Sequence, residues 1–169
     1  MTNSGSLQIT TPNDLDIVMT RAFNAPRPLV WEAMSKPEFI RRWLLGPPGW
    51  TMEACDDDLR VGGEFHWSWR GPENAEMSMR GTYREVQPPE RIVRTETFEF
   101  GCNAQAGEQL ASVVLTDQGD TTMLTMTVTY PSKEARNGAL ASGMEQGVSA
   151  SYNRLDEILS SSAAEAASS

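Results

Sequence analysis

Few side chains in this sequence are suited to covalent or acid–base chemistry. The only histidine, His66, lies in EFHWSWR (64–70). Alternation along an extended segment turns it away from Phe65, Trp67 and Trp69, so it reads as an outward sheet-face residue rather than a buried base. There is no Ser/His/Asp set, nucleotide-binding glycine loop or helical histidine pair. Cys55-Asp56-Asp57-Asp58 gathers metal-ligating residue types. Consecutive strand residues point to opposite faces, however, and no second ligand cluster accompanies them, so no metal site is expected. Carboxylates are abundant but have no diagnostic spacing. Catalytic residues are therefore left unassigned, and no cofactor is expected.

The sequence instead concentrates apolar surface with period two. Phe65, Trp67 and Trp69 fall on one face of their segment. Met77, Met79, Gly81 and Tyr83 do so in MSMRGTYREV (77–86), and Leu124, Met126, Val128 and Tyr130 in TTMLTMTVTY (121–130). The methionine count of 9 suits an adaptable apolar surface. Polar groups able to orient a ligand there are the hydroxyls of Tyr83 and Tyr152 and the charges of Arg94, Glu96 and Glu145. A second concentration is RRWLLGPPGW (41–50), where Trp43 and Trp50 flank a Gly-Pro-Pro-Gly break.

These residues need elements to carry them. DLDIVMTRAF (14–23) alternates Leu15, Ile17 and Met19 and predicts a first strand. APRPLVWEAM (25–34) predicts a short helix. A second is expected from Ser35 and Glu38, which have capping-box spacing, to the proline break at 46–49. Gly62 and Gly63 permit a turn or bulge into the EFHWSWR strand. Strands are then expected at 64–70, 77–86, 91–100, 110–117 and 121–130, joined by short turns as an antiparallel meander. A single long helix is predicted from an N-cap at Ser132 to about residue 160. Leu140, Met144, Val148, Leu155 and Ile158 form its apolar stripe, with the small residues Gly147 and Ser151 in the same stripe. Small residues there fit either close helix–sheet packing or an open space.

Composition narrows the function. The 23 acidic and 14 basic residues give a net charge of −9, which opposes phosphate backbones and anionic membranes. With the arginines scattered, no nucleic-acid binding is expected. No apolar run reaches the roughly 20 residues of a membrane span. The N-terminus lacks a secretory pattern, and Cys55 and Cys102 suggest no disulfide framework, so a cytoplasmic setting is expected. Residues 14–160 read as one domain between a flexible N-terminus (1–13) and a disordered tail (161–169).

The pieces FNAPRPLVWEAMSKPEFIRRWLLGPPGW (23–50), DLRVGGEFHW (58–67), RGTYREVQPPERIVRTE (80–96), TMLTMTVTYPSKEAR (122–136) and GMEQG (143–147) occur in the order found in a known group. On them the chain resembles the SRPBCC (START-like, Bet v 1-like) superfamily. The most similar branch is the C-terminal domain of the activator of the ninety-kilodalton heat-shock chaperone's ATPase. The resemblance implies an α+β helix-grip fold: a curved antiparallel sheet of six to seven strands around the long C-terminal helix, with two short helices after the first strand. It implies a cavity between that helix and the sheet, with Trp43 at its entrance and the GPPG loop as its rim. The lining would be Phe65, Trp67, Trp69, Met79, Tyr83, Met126, Met144, Gly147, Val148, Ser151 and Tyr152. The leading expectation is binding of a hydrophobic or amphipathic small molecule without established catalysis. A small polyketide cyclase-like or hydrolytic enzyme is the first alternative, and a chaperone-associated interaction protein the second. A homodimer is left open.

Overall fold

Alternation dictates the sheet. In strand β2 (Asp16–Phe23), Ile17, Met19, Arg21 and Phe23 are buried and the intervening residues half-buried. The same period builds β3 (Thr51–Asp57), β4 (Glu64–Arg70), β5 (Glu76–Gln87), β6 (Arg91–Phe100), β8 (Gln109–Asp117) and β9 (Thr122–Thr129). The structure, a computed structural model, describes residues 7–45, 49–100, 103–104, 108–141 and 144–168. Two short strands join the seven long ones: β1 (Gln8–Thr10), inside the stretch expected to be flexible, and β7 (Asn103–Ala104). All pairings are antiparallel, in the order β1-β2-β9-β8-β6-β5-β4-β3, with β7 on β6. Leu15, expected within the first strand, precedes it and is exposed.

Strand β6 joins the two halves of the sheet. Its first half, Arg91–Glu96, pairs with β8, and its end pairs with β7. Its other edge follows β5, where the register shifts between Tyr83 and Glu85. The backbone N–H of Thr82 there donates to the Thr95 hydroxyl, at 3.0 Å. Gly81 allows this approach: a Cβ on it would lie 1.8 Å from the Thr95 carbonyl oxygen. Such irregularities bend a strand and re-aim its side chains. A second register shift lies between Met52 and Ala54 of β3. The turn before β4 needs Gly62, which has φ +84°.

Helices α1 (Arg27–Ser35) and α2 (Pro37–Trp43) follow β2 as expected. The capping box does not form. Ser35 ends α1, its hydroxyl donates to the Glu32 carbonyl, and Lys36 precedes α2 without a side-chain cap. Ser132 does act as an N-cap, accepting from the Ala135 N–H at 3.0 Å. The helix it starts is α3 (Lys133–Ala141), and a separate α4 (Met144–Ser168) follows, running past the expected boundary at 160. The single long helix is thus two described helices. Leu140, placed on the common stripe, is 38% exposed, because a stripe does not carry its phase from one helix into the next.

Helix α4 packs against α1, α2, α3 and β2. One core cluster joins Phe23, Val30, Ile40, Trp43, Phe65, Trp67, Trp69, Tyr83, Tyr152, Leu155 and Leu159; a smaller one holds Ile17, Met19, Val128 and Tyr130. Arg21 fastens α4 to the sheet, donating to Asn153 at 3.1 Å and lying 3.8 Å from Asp156. No described helix is long and apolar enough to cross a membrane.

Candidate functional site

The inner face of the sheet carries a line of polar groups within its aromatic core. Asp57, at the end of β3, is in phase with buried Cys55 and lies opposite Phe65 of β4. The Tyr83 hydroxyl donates to its Oδ1 at 2.6 Å, and Trp67 Nε1 donates to its Oδ2 at 3.2 Å. Arg94 of β6 lies opposite Tyr83. Its guanidinium sits over the rings of Trp67 and Phe65, 5.1 and 5.6 Å from their centroids. Arg94 Nε donates to Glu96 Oε2 at 2.8 Å, and Gln109 of β8 donates to Glu96 Oε1 at 2.9 Å. The Glu96 side chain is only 1% exposed.

Burial raises the Asp57 carboxyl above its ordinary range, although the Tyr83 and Trp67 hydrogen bonds and the Arg94 charge oppose the rise. Burial also lifts the Tyr83 hydroxyl, which stays a proton donor, and pushes Tyr152 up to about 12. For Arg94 burial disfavours the cation, but the Glu96 carboxylate and its hydrogen bond, with the Tyr83 and Tyr152 hydroxyls, together outweigh it, so the guanidinium stays charged. Burial and the Asp57 carboxylate push the Cys55 thiol up to about 11, which excludes a thiolate nucleophile near neutrality.

Helix α4 supplies the opposing wall. Ser151 and Tyr152 are buried, whereas Gly147 and Val148 are half-buried. The Tyr152 ring meets Phe23 edge-on at 5.6 Å and Trp43 at 6.0 Å, and its hydroxyl is 3.8 Å from Met126 Sδ. Met126 lies opposite Met19 on one side and Val113 on the other. Those neighbours are 1% and 2% exposed, yet Met126 is half-buried. Accessible surface thus persists on an inward face, as it does at Met79 of β5 and at Val148.

The structure brings Phe65, Trp67, Trp69, Tyr83 and Tyr152 into one cluster, with Met79, Met126 and Val148 packed against it. Trp43 joins this cluster as a buried residue, its Nε1 donating to the Ala33 carbonyl at 2.9 Å. Trp50 is half-buried against Gly71. Gly46–Pro48, Cys102 and the Met144 side chain lie outside the described residues. His66 is exposed and no group of three metal-ligating side chains occurs among the described residues, so neither joins the site.

Asp57 and Gln109 are additions to the sequence reading. In the sequence Asp57 reads only as a metal-ligating residue type, although its period-two phase with Cys55 turns it inward. Gln109 shares the phase of buried Ala111, Val113 and Leu115 but sits one residue before the expected strand. Two open surface clefts each touch one of the site's residues, Gln109 in the first and Trp69 in the second. One, of about 160 Å³, involves Arg84, Gln109 and Tyr130; the other, of about 230 Å³, involves Glu53, Trp69 and Met77. Neither includes a residue of α4.

Residues 24–160 match the family model described as activator of Hsp90 ATPase homolog 1-like protein. Among solved structures, a Rhodobacter sphaeroides protein is 28% identical with a TM-score of 0.85, covering 93% of this chain and 99% of its own. A Mycobacterium smegmatis protein (24% identity, TM-score 0.82, covering 92% and 97%) and one from Nitrosomonas europaea (24%, 0.78, 91% and 99%) share the fold. No curated protein matches the chain.

Proposed function

The chain belongs to the family of activator of Hsp90 ATPase homolog 1-like proteins, and from that premise we propose that it binds a hydrophobic or amphipathic small molecule between α4 and the sheet. The helix-grip fold of this family is generally a ligand-binding fold. The observation that carries the reading is the half-buried state of Met126 between fully buried neighbours, with Tyr152 of α4 facing it. Inward surface that packing leaves accessible, beside a few fixed polar groups, is the usual composition of a small-molecule site. The lining on this reading is Phe65, Trp67, Trp69, Met79, Tyr83, Met126, Gly147, Val148, Ser151 and Tyr152, with Trp43 at its margin.

The test is titration with N-phenylnaphthylamine, an uncharged apolar probe whose fluorescence rises out of water. Wild-type protein should bind it saturably. Gly147→Leu, which adds a side chain at the helix wall, should weaken binding by ~10-fold, a change of about 1.4 kcal/mol. Unaltered affinity in a variant with a native urea midpoint would refute the location.

One observation favours a second reading, an enzyme acting on an apolar substrate in the same space. The Asp57 carboxyl, with its raised pKa and 2.6 Å bond from Tyr83, is suited to proton transfer. Once a substrate is found, Asp57→Asn should lower turnover by ~10²-fold or more if that reading holds. Ligand binding that survives without any turnover would return the assignment to a binder.

A further inference from the structure

We propose that the polar contact made by the bound molecule is an uncharged carbonyl oxygen accepting from the terminal nitrogens of Arg94, so that the ligand class is a neutral apolar or aromatic carbonyl compound and not a carboxylate. This rests on the ligand site proposed above and adds the chemistry of its polar end.

A guanidinium carries five N–H donors. Arg94 commits Nε to Glu96, and no described residue accepts a hydrogen bond from Nη1 or Nη2. The side chain is 11% exposed, although the residues opposite it, Tyr83 and Ala111, are 2% and 0% exposed. Those neighbours and the Phe65 and Trp67 rings beneath the guanidinium place it on the inner face. These terminal donors are not sealed in: they keep accessible surface beside two aromatic rings, so a ligand oxygen can take the place of water on them. Tyr152 adds a donor from the facing wall, because its hydroxyl meets only the weak acceptor Met126 Sδ at 3.8 Å.

Charge decides which oxygen. Glu96 already neutralises Arg94, and Glu96 is itself held by Gln109. A ligand carboxylate would put a second anion on a balanced pair, with Asp57 in the same interior. In a low-dielectric site an uncompensated charge is heavily penalised. A carbonyl takes the same hydrogen bonds without that penalty.

The experiment uses three naphthalenes bearing, at one ring position, an acetyl, an ethyl or a carboxylate group, titrated calorimetrically into the intact chain at neutral pH. The acetyl compound should bind ~10-fold or more tightly than the ethyl compound, the scale of a hydrogen bond to a charged donor, and the carboxylate most weakly. Equal binding of acetyl and ethyl compounds overturns the carbonyl contact and leaves the apolar site standing. Tightest binding by the carboxylate overturns the charge argument, and binding by none of the three overturns the site and this inference together. Glu96→Gln should raise carboxylate affinity relative to acetyl, because it removes the neutralising anion. Arg94→Met/Glu96→Met should abolish the preference for acetyl over ethyl while ethyl binding persists. A preference that survives in the folded double variant refutes the role of Arg94, and if the double variant does not fold, the wild-type ranking with Glu96→Gln decides.

Discussion

At Asp57, burial and hydrogen bonding pull in opposite directions, and burial prevails. An acid whose folded pKa is raised holds its proton more tightly in the native state. Its contribution to stability is therefore complete below the unfolded value of 3.8 and is lost as pH rises through the folded value. Tyr83→Phe removes the hydroxyl that partly restrains this rise. The urea midpoint of that variant should fall further than wild type between pH 3.8 and neutrality, and its loss at neutral pH should be roughly 1–3 kcal/mol. A pH profile parallel to wild type would show that the bond does not tune Asp57. Gly81 makes a second prediction at this scale. A Cβ placed 1.8 Å from the Thr95 carbonyl cannot be absorbed by a side-chain rotation, because the obstacle is backbone. Gly81→Ala should cost about 3 kcal/mol or more of unfolding free energy in urea titration, near the upper end for overpacking. A cost under ~1 kcal/mol would mean that the two strands separate easily there.

The helices offer a matched pair of serines. Ser132 caps α3 through a bond to the Ala135 N–H, so Ser132→Ala should destabilise by about 1 kcal/mol. Ser35 matches the same sequence pattern but ends α1, and its hydroxyl makes only a 3.4 Å bond to the Glu32 carbonyl. Ser35→Ala should stay within about 0.5 kcal/mol of wild type. Equal losses in thermal or urea unfolding would contradict the assignment of the caps. The two tryptophans around the proline break separate in the same way. Trp43 is 4% exposed and hydrogen-bonded, so Trp43→Ala should lose roughly 3–5 kcal/mol. Trp50, half-buried, should lose distinctly less and show its effect in probe affinity or exchange rate. Similar stability losses for both variants, with unchanged binding per folded molecule, would remove Trp50 from any role at the entrance.

Across the whole molecule, the grip of sheet on helix depends on a few long-range ties. Arg21 is buried on β2 and reaches Asn153 and Asp156 on α4. Asp156 is 20% exposed and 3.8 Å from the guanidinium, so losing Arg21 removes the Asn153 bond and a partly solvated ion pair, at a cost of roughly 1–3 kcal/mol. Arg21→Ala should therefore lower the unfolding free energy from urea titration by that amount. If α4 is loosened before the sheet unfolds, tryptophan fluorescence and circular dichroism should give separate transitions. A loss below ~1 kcal/mol would place the grip in apolar packing alone.

Six of the seven long strands, the two short helices, the outward His66 and the inward aromatic face were legible in the amino-acid order, whereas β3 and the short β1 and β7 were not predicted. Period-two and helical patterns are local and state which face of an element is apolar. The ordered motifs from residue 23 to 147 extended that reading to the family, and the family model over residues 24–160 bears it out. The division of the C-terminal helix into α3 and α4, and the exposure of Leu140, were not legible, because a periodic stripe does not show where its helix is interrupted. Nor was the chain of contacts from Asp57 through Tyr83, Arg94 and Glu96 to Gln109. These residues come from four strands and meet through the pairing registers of those strands, which set Asp57 opposite Phe65, Tyr83 opposite Arg94 and Glu96 opposite Gln109. Which residue lies inward is a property of one strand. Which inward residues touch depends on pairing between distant segments, and a local pattern carries no information about that.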